Sequence, residues 1–254
     1  MSDAAARPLA GRVILVTGAL GGLGGAASRA IARAGATPIL LARKVRQLER
    51  LHDAIEAESG TESPVLYPLD LEGATPDDFA ELAERVDKAY GRLDGLLHCA
   101  TEFRGLTPLE HTDPAAFARA IHVDLTAPWW LTQACIPLLR KAKDGAVVFP
   151  VDDPARVSRA YWGAYGLAHH GLTALVGMLH AELASTTVRV HGLQPGAMRT
   201  ALRAKAYVDE DDRDARDPAF AADACVRLLS SEGAAWRGTI ARADDVASRT
   251  GTLA

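Results

Sequence analysis

The 254-residue chain carries 28 Lys and Arg against 32 Asp and Glu, a formal net charge of −4, so it has no basic excess with which to neutralise a nucleic-acid backbone. At 48% hydrophobic and 24% charged residues it is an ordinary globular sequence, outside the disordered, collagenous and disulfide-dense classes. The length suits one α/β domain over 1–254; without an apolar run long enough to cross a membrane or a leader-like N-terminus, a soluble, cytoplasmic protein is expected.

Short apolar β-type runs at 13–17, 38–42, 65–69, 94–98, 145–150 and 187–193 alternate with helix-patterned stretches at 23–34, 44–58, 76–90, 114–140 and 161–184. That rhythm predicts βαβ units, with helices covering both faces of a single parallel sheet. Cys99, Cys135 and Cys225 are widely spaced in apolar surroundings and read as reduced core thiols. No His or Cys spacing points to a metal. Trp129 and Trp130 read as core or subunit-interface packing, and His98 and His122 as structural hydrogen-bonding residues.

After the first run comes Thr17-Gly18-Ala19-Leu20-Gly21-Gly22-Leu23-Gly24-Gly25, followed at once by a helical pattern. Glycines there let backbone N–H groups close on an anion at the positive end of a helix, a fit for a pyrophosphate. The second run ends Leu41-Ala42-Arg43-Lys44, with two cations where NAD-selective enzymes of this type place a carboxylate. A 2′-phosphate is attracted there, which favours NADP(H) over NAD(H). Asp70, after the third run, is placed either to meet an adenine or to cap the next turn. Further on, 209–217 holds six acidic residues in nine positions, a solvated loop or, within 199–218, a lid over a substrate pocket.

Taken together these residues resemble the short-chain dehydrogenase/reductase family over nearly the whole chain. The similarity rests on Thr17-Gly18-x-x-x-Gly22-x-Gly24, Asp70-Leu71, Leu96-Leu97-His98-Cys99-Ala100-Thr101, Tyr165 and Pro195-Gly196-x-x-x-Thr200. The resemblance implies a Rossmann fold with strand order 3-2-1-4-5-6-7 and a homodimer or homotetramer built through the long helices. It also implies a cofactor groove formed by Thr17, Gly18, Gly22, Leu23, Gly24, Arg43, Asp70, Leu71, Ala100, Pro195, Gly196 and Thr200.

In that family a tyrosine exchanges a proton with the substrate oxygen while hydride passes to or from nicotinamide, assisted by a lysine, a serine and an asparagine. Here the tyrosine is Tyr165, the lysine position is His169, the serine position falls on Asp152 or Asp153, and the asparagine position is Asp124. Thr101 stands where the family has a glycine near the cofactor, so a narrower groove is expected there. Unit charges about 4 Å apart interact by about 4 kcal/mol at an effective dielectric near 20, roughly three pKa units. Losing a cation and gaining carboxylates therefore pushes the Tyr165 phenol toward its protonated form and weakens the usual mechanism.

Two escapes are open: a protonated His169 held by one of the aspartates, or a buried aspartic acid that donates a hydrogen bond. The expected function is a divergent NADP(H)-dependent oxidoreductase of a carbonyl or alcohol. The alternatives are a catalytically silent nucleotide-binding, sensor or partner-subunit protein, and a proton-abstracting enzyme using Asp152 or Asp153 as base.

Overall fold

The computed structural model describes residues 7–58, 62–207 and 214–249. Each apolar run becomes a strand, with ends shifted by at most two residues: β1 Val13–Thr17, β2 Thr37–Ala42, β3 Val65–Pro68, β4 Gly95–His98, β5 Ala146–Pro150 and β6 Arg189–Gln194. A seventh, β7 Ile240–Arg242, has three residues, too few to leave a pattern in the sequence. All pairs are parallel and the order is β3-β2-β1-β4-β5-β6-β7. Chain direction across the sheet reverses between β1 and β4, which opens a crevice at their carboxyl ends.

The inner strands β1, β2 and β5 are apolar at nearly every position because both faces of the sheet are covered there. Along β1, Val13 and Leu15 enter one core with Phe79, Leu131 and Leu172, while Ile14 and Val16 enter the other with Ile31 and Leu228. The helices that supply these layers are α1 Gly22–Arg33, α2 Val45–Glu56, α3 Pro76–Tyr90, α4 Pro114–Ile121, α5 Ala127–Lys141, α6 Pro154–Val157, α7 Gly163–Glu182, α8 Ala201–Ala206, α9 Pro218–Leu229 and α10 Ala243–Ser248. Four of them, α3, α4, α6 and α9, begin with a Thr or Asp cap followed by proline, which satisfies N–H groups that the helix leaves open. No described helix is long and apolar enough to cross a membrane.

Two long helical patterns are corrected. The stretch at 114–140 is divided into α4 and α5 by a π-helical turn, His122–Thr126. Pro128 has no N–H for the Asp124 carbonyl and its ring crowds that oxygen, so the helix widens there. The stretch at 161–184 starts two residues late, because Tyr161 (φ 79°) adopts left-handed backbone ahead of α7 and Gly163 (φ 45°) does so at its first position.

Of the 199–218 region, 208–213 lies outside the described residues. Its flanks are tied together: the Arg199 N–H donates to the Arg216 carbonyl at 2.9 Å and the Arg216 N–H to the Ala197 carbonyl at 3.0 Å.

Candidate active site

The crevice holds two adjoining cavities, of about 300 and 350 Å³, that share Gly21, Arg43 and residues 99–102. The smaller reaches Gly18, Lys44, Asp70 and Leu71; the larger reaches Gly22, Leu23, Pro195, Gly196, Thr200 and the residues around Tyr165. Ala100 and Thr101 line both, so Thr101 stands at their junction.

At the glycine loop, α1 starts from Gly21 with no side-chain cap and no acidic residue in its first turn. Its first N–H groups therefore face the crevice unclaimed by any side chain, the arrangement an anion requires. Gly18 has φ +61°, and a Cβ on it would stand 2.5 Å from the Ala100 nitrogen. A Cβ on Gly24 would lie 2.2 Å from the Gly18 carbonyl oxygen. Thr17 is buried and accepts the Ala100 N–H at 3.2 Å. Thr17 and Gly24 thus shape the loop from behind and do not line either cavity.

Arg43 is exposed, with its guanidinium 3.8 Å from Asp70. Asp70 also accepts the Glu72 N–H at 3.2 Å, so it does cap its turn while facing the smaller cavity. Leu71 is almost wholly within the core and shows only an edge to that cavity.

At the other end Tyr165 projects from the first turn of α7, and its hydroxyl donates to Asp152 Oδ2 at 3.1 Å. Arg156, one turn on in sequence, binds Asp152 Oδ1 through Nη2. His169, four residues after Tyr165 on α7, packs its ring 4.1 Å from the tyrosine ring, centre to centre. Its Nδ1 accepts the Asp152 backbone N–H at 3.0 Å, which puts the imidazole proton on Nε2. That Nε2 is buried and has no partner. Asp124, in the π turn, accepts the Glu102 N–H on Oδ1 at 2.6 Å.

Protonation follows from these surroundings. Burial first, then the Asp152 and Asp124 carboxyls, hold the Tyr165 phenol well above the usual tyrosine range, with Arg156 acting in the opposite sense. Burial drops His169 to about 4, so the imidazole is neutral at physiological pH. Burial also raises Asp124 well above the usual carboxyl range, against the pull of the Glu102 N–H and the Thr101 side chain. The reaction end therefore contains a phenol, a neutral imidazole, a carboxyl pushed toward its acid form and one aspartate–arginine pair.

Three expectations change. Asp153 is not at the site: it caps α6, accepting the Ala155 N–H at 3.0 Å, and of the two aspartates only Asp152 lines the cavity. The protonated His169 is excluded, because Nδ1 faces an N–H donor. The excess of negative charge is smaller than the sequence implied, because Arg156 offsets Asp152. Arg156 escaped the sequence reading although its spacing from Asp152 is that of an i,i+4 pair. Phe103 and Tyr207, which with Trp162 wall the larger cavity around Tyr165, escaped it as well, whereas Trp162 is expected from its place at the start of the Tyr165 helix.

Other residues are structural. His98 is buried, within 2.9 Å of the Thr132 hydroxyl and stacked on Phe149. The three cysteines are unpaired, Cys135 and Cys225 buried and Cys99 at the cavity junction. His52, Asp53 and Glu56 on α2 put ligand-type atoms within 4.8 Å of one another but lie outside both cavities.

Comparison with known proteins agrees with this geometry. A family profile described as short chain dehydrogenase matches residues 12–211. The oxidoreductase YciK of Escherichia coli (strain K12), described as uncharacterized, is 37% identical over 208 residues, 82% of each chain. Among solved structures, a short chain dehydrogenase from Shigella flexneri 2a complexed with NADP is 33% identical, with a TM-score of 0.88 over 94% of this chain and 99% of that one. Another, from Escherichia coli CFT073 complexed with NADPH, is 35% identical, with a TM-score of 0.88 over 93% and 98%. By sequence, topology and the construction of its crevice, the chain belongs to the short-chain dehydrogenase/reductase family of oxidoreductases.

Proposed function

We propose that this protein binds NADP(H) and reduces a carbonyl compound to an alcohol, with Tyr165 as proton donor. The observation that carries the reading is the Tyr165 hydroxyl in a cavity continuous with the uncapped start of α1. The residues suit the cofactor. Unclaimed N–H groups of α1 would hold a pyrophosphate, Arg43 and Lys44 a 2′-phosphate, and the orphaned His169 Nε2–H a ribose hydroxyl. The NADP and NADPH complexes of the two structural relatives support the same preference.

When bound, the nicotinamide supplies hydride to the carbonyl carbon. The oxygen then becomes an alkoxide, a far stronger base than a phenolate, and takes the Tyr165 proton. The reverse reaction needs Tyr165 to begin as phenolate, which burial and Asp152 disfavour. Reduction is therefore the supported direction. The rate is low, because Asp152 occupies the tyrosine proton and no hydroxyl at that position donates to the developing oxyanion; loss of one such donor costs about 10²–10³ in kcat. The same hydrogen bond favours a second reading, a nucleotide-binding protein without turnover.

Titrating NADPH and NADH calorimetrically and then assaying a carbonyl panel separates the two. NADPH bound more tightly than NADH with slow ketone reduction supports the first reading, binding without turnover the second, and absence of binding removes both. We further propose self-association through α5 and α7, whose Trp129, Leu167 and Met178 are each 45–60% exposed. Light scattering that gives a monomer at micromolar concentration overturns it.

A further inference from the structure

The cavity around Tyr165 contains a cation that proton donation does not call for. Arg156 gives one nitrogen, Nη2, to Asp152, while its Nε is buried with no hydrogen-bond partner and its Nη1 makes no hydrogen bond among the described residues. Buried donors are nearly always paired, and a guanidinium with a free edge is shaped for a carboxylate. A second cation lines the same cavity: Lys205 on α8, whose Nζ donates to the Phe103 carbonyl at 3.0 Å and has no carboxylate partner among the described residues.

The cavity's own carboxyls are already engaged. Glu102 is paired with Arg104, Asp124 accepts a main-chain N–H, and Asp152 is shared by Arg156 and Tyr165. The same cavity has an apolar wall of Phe103, Trp162 and Tyr207. One carboxylate, that of Asp152, is enough to link the Tyr165 hydroxyl to Arg156. A short oxo acid likewise carries its carboxylate only one or two carbons from its keto group.

We propose that the substrate is a 2- or 3-oxo acid whose carboxylate is held by Arg156, with Lys205 adding to the attraction, while its keto oxygen meets Tyr165. The assignment deepens the reductase reading and rests on it. It makes Arg156 a specificity residue, distinct from the proton donor.

The test uses calorimetry with two matched pairs of probes, phenylpyruvate and 3-oxobutanoate and their methyl esters, on the protein alone and saturated with NADPH. At least one acid is expected to bind about tenfold or more tightly than its ester. Arg156→Gln should bring that ratio close to one, and Lys205→Gln should lower it less. NADPH affinity should stay within about twofold in both variants. Because Arg156→Gln leaves Asp152 without its cation, Arg156→Gln with Asp152→Asn is measured beside it, with circular dichroism verifying the fold; the wild-type ratio stands even if neither variant folds.

Esters binding as well as acids, neither acid binding, or a ratio unchanged in a folded Arg156 variant would overturn the proposal. Failure of the cofactor reading shows separately, as absent NADPH binding with acid discrimination intact in the protein alone.

Discussion

Around the glycine loop the groups offered to a ligand are main-chain N–H bonds at the start of α1, fixed by Gly18 and Gly24, where a Cβ would collide with neighbouring backbone. Around Tyr165 they are side chains whose protonation is set by their surroundings: burial and then Asp152 keep the phenol protonated, burial keeps His169 neutral with a backbone N–H choosing its tautomer, and burial pushes Asp124 toward its acid form. At the second end Asp152, His169 and Asp124 stand where the resemblance leads one to expect a serine, a lysine and an asparagine. A site made of backbone needs only the fold and a few glycines, whereas a site made of side chains can be rebuilt by exchanging them. On the proposed function, nucleotide binding and turnover belong to different ends of the crevice, and substitutions should move them independently.

The largest separation is expected from Tyr165→Phe. Carbonyl reduction should fall by about 10²–10⁴-fold, the usual worth of a positioned proton donor, while NADPH affinity measured calorimetrically stays within about twofold. Equal turnover by the variant would take the proton-donor role from Tyr165. Restoring the family residues with Asp152→Ser and His169→Lys should raise kcat by about 10²-fold, since a donor and a cation return together. If only the KM moves, the reaction end is not what limits the rate.

Acid should destabilise the fold through buried imidazoles. Burial lowers His98 to about 3 and both His169 and His191 to about 4, against 6.5 for an ordinary histidine. Between pH 6.5 and 4 the unfolded chain binds more protons than the native one, so stability is fully present above 6.5 and falls as the pH drops through that window. Denaturant melts at pH 7, 5.5 and 4.5 report it, and His169→Gln should flatten part of the slope.

At the backbone end, Arg43→Gln should reduce the preference for NADPH over NADH by about tenfold, without altering the rate at saturating cofactor. The smallest effect belongs to Asp153→Ala, the loss of the α6 cap. It should lower stability by about 1 kcal/mol and leave NADPH binding and kcat within about twofold. A loss of activity as large as that of a Tyr165 variant would put Asp153 back at the site.

The sheet was legible because parallel strands covered on both faces are continuous apolar runs, and the loop after β1 because glycine at Gly18 and Gly24 is demanded by contact. The signal for Asp153 was also present, since an aspartate before a proline is a helix start, as it is at Asp113-Pro114 and Asp217-Pro218. The Arg156–Asp152 pair and the proton on His169 Nε2 were not legible. The first forms across a four-residue helix too short to show periodicity; the second depends on an N–H donor seventeen residues away.

The π turn at His122–Thr126 gives Asp124 a sensitivity to chain length. A widened turn carries one residue more than the α-helix it interrupts, and each residue rotates a helix by about 100°. A single-residue deletion there would leave Pro128 in place but turn α4 against α5 by about 100°, and so swing the aspartate out of the crevice. A family that lengthens or shortens its chain by one position at this point can therefore install or retire a buried acid without touching any residue of the sheet.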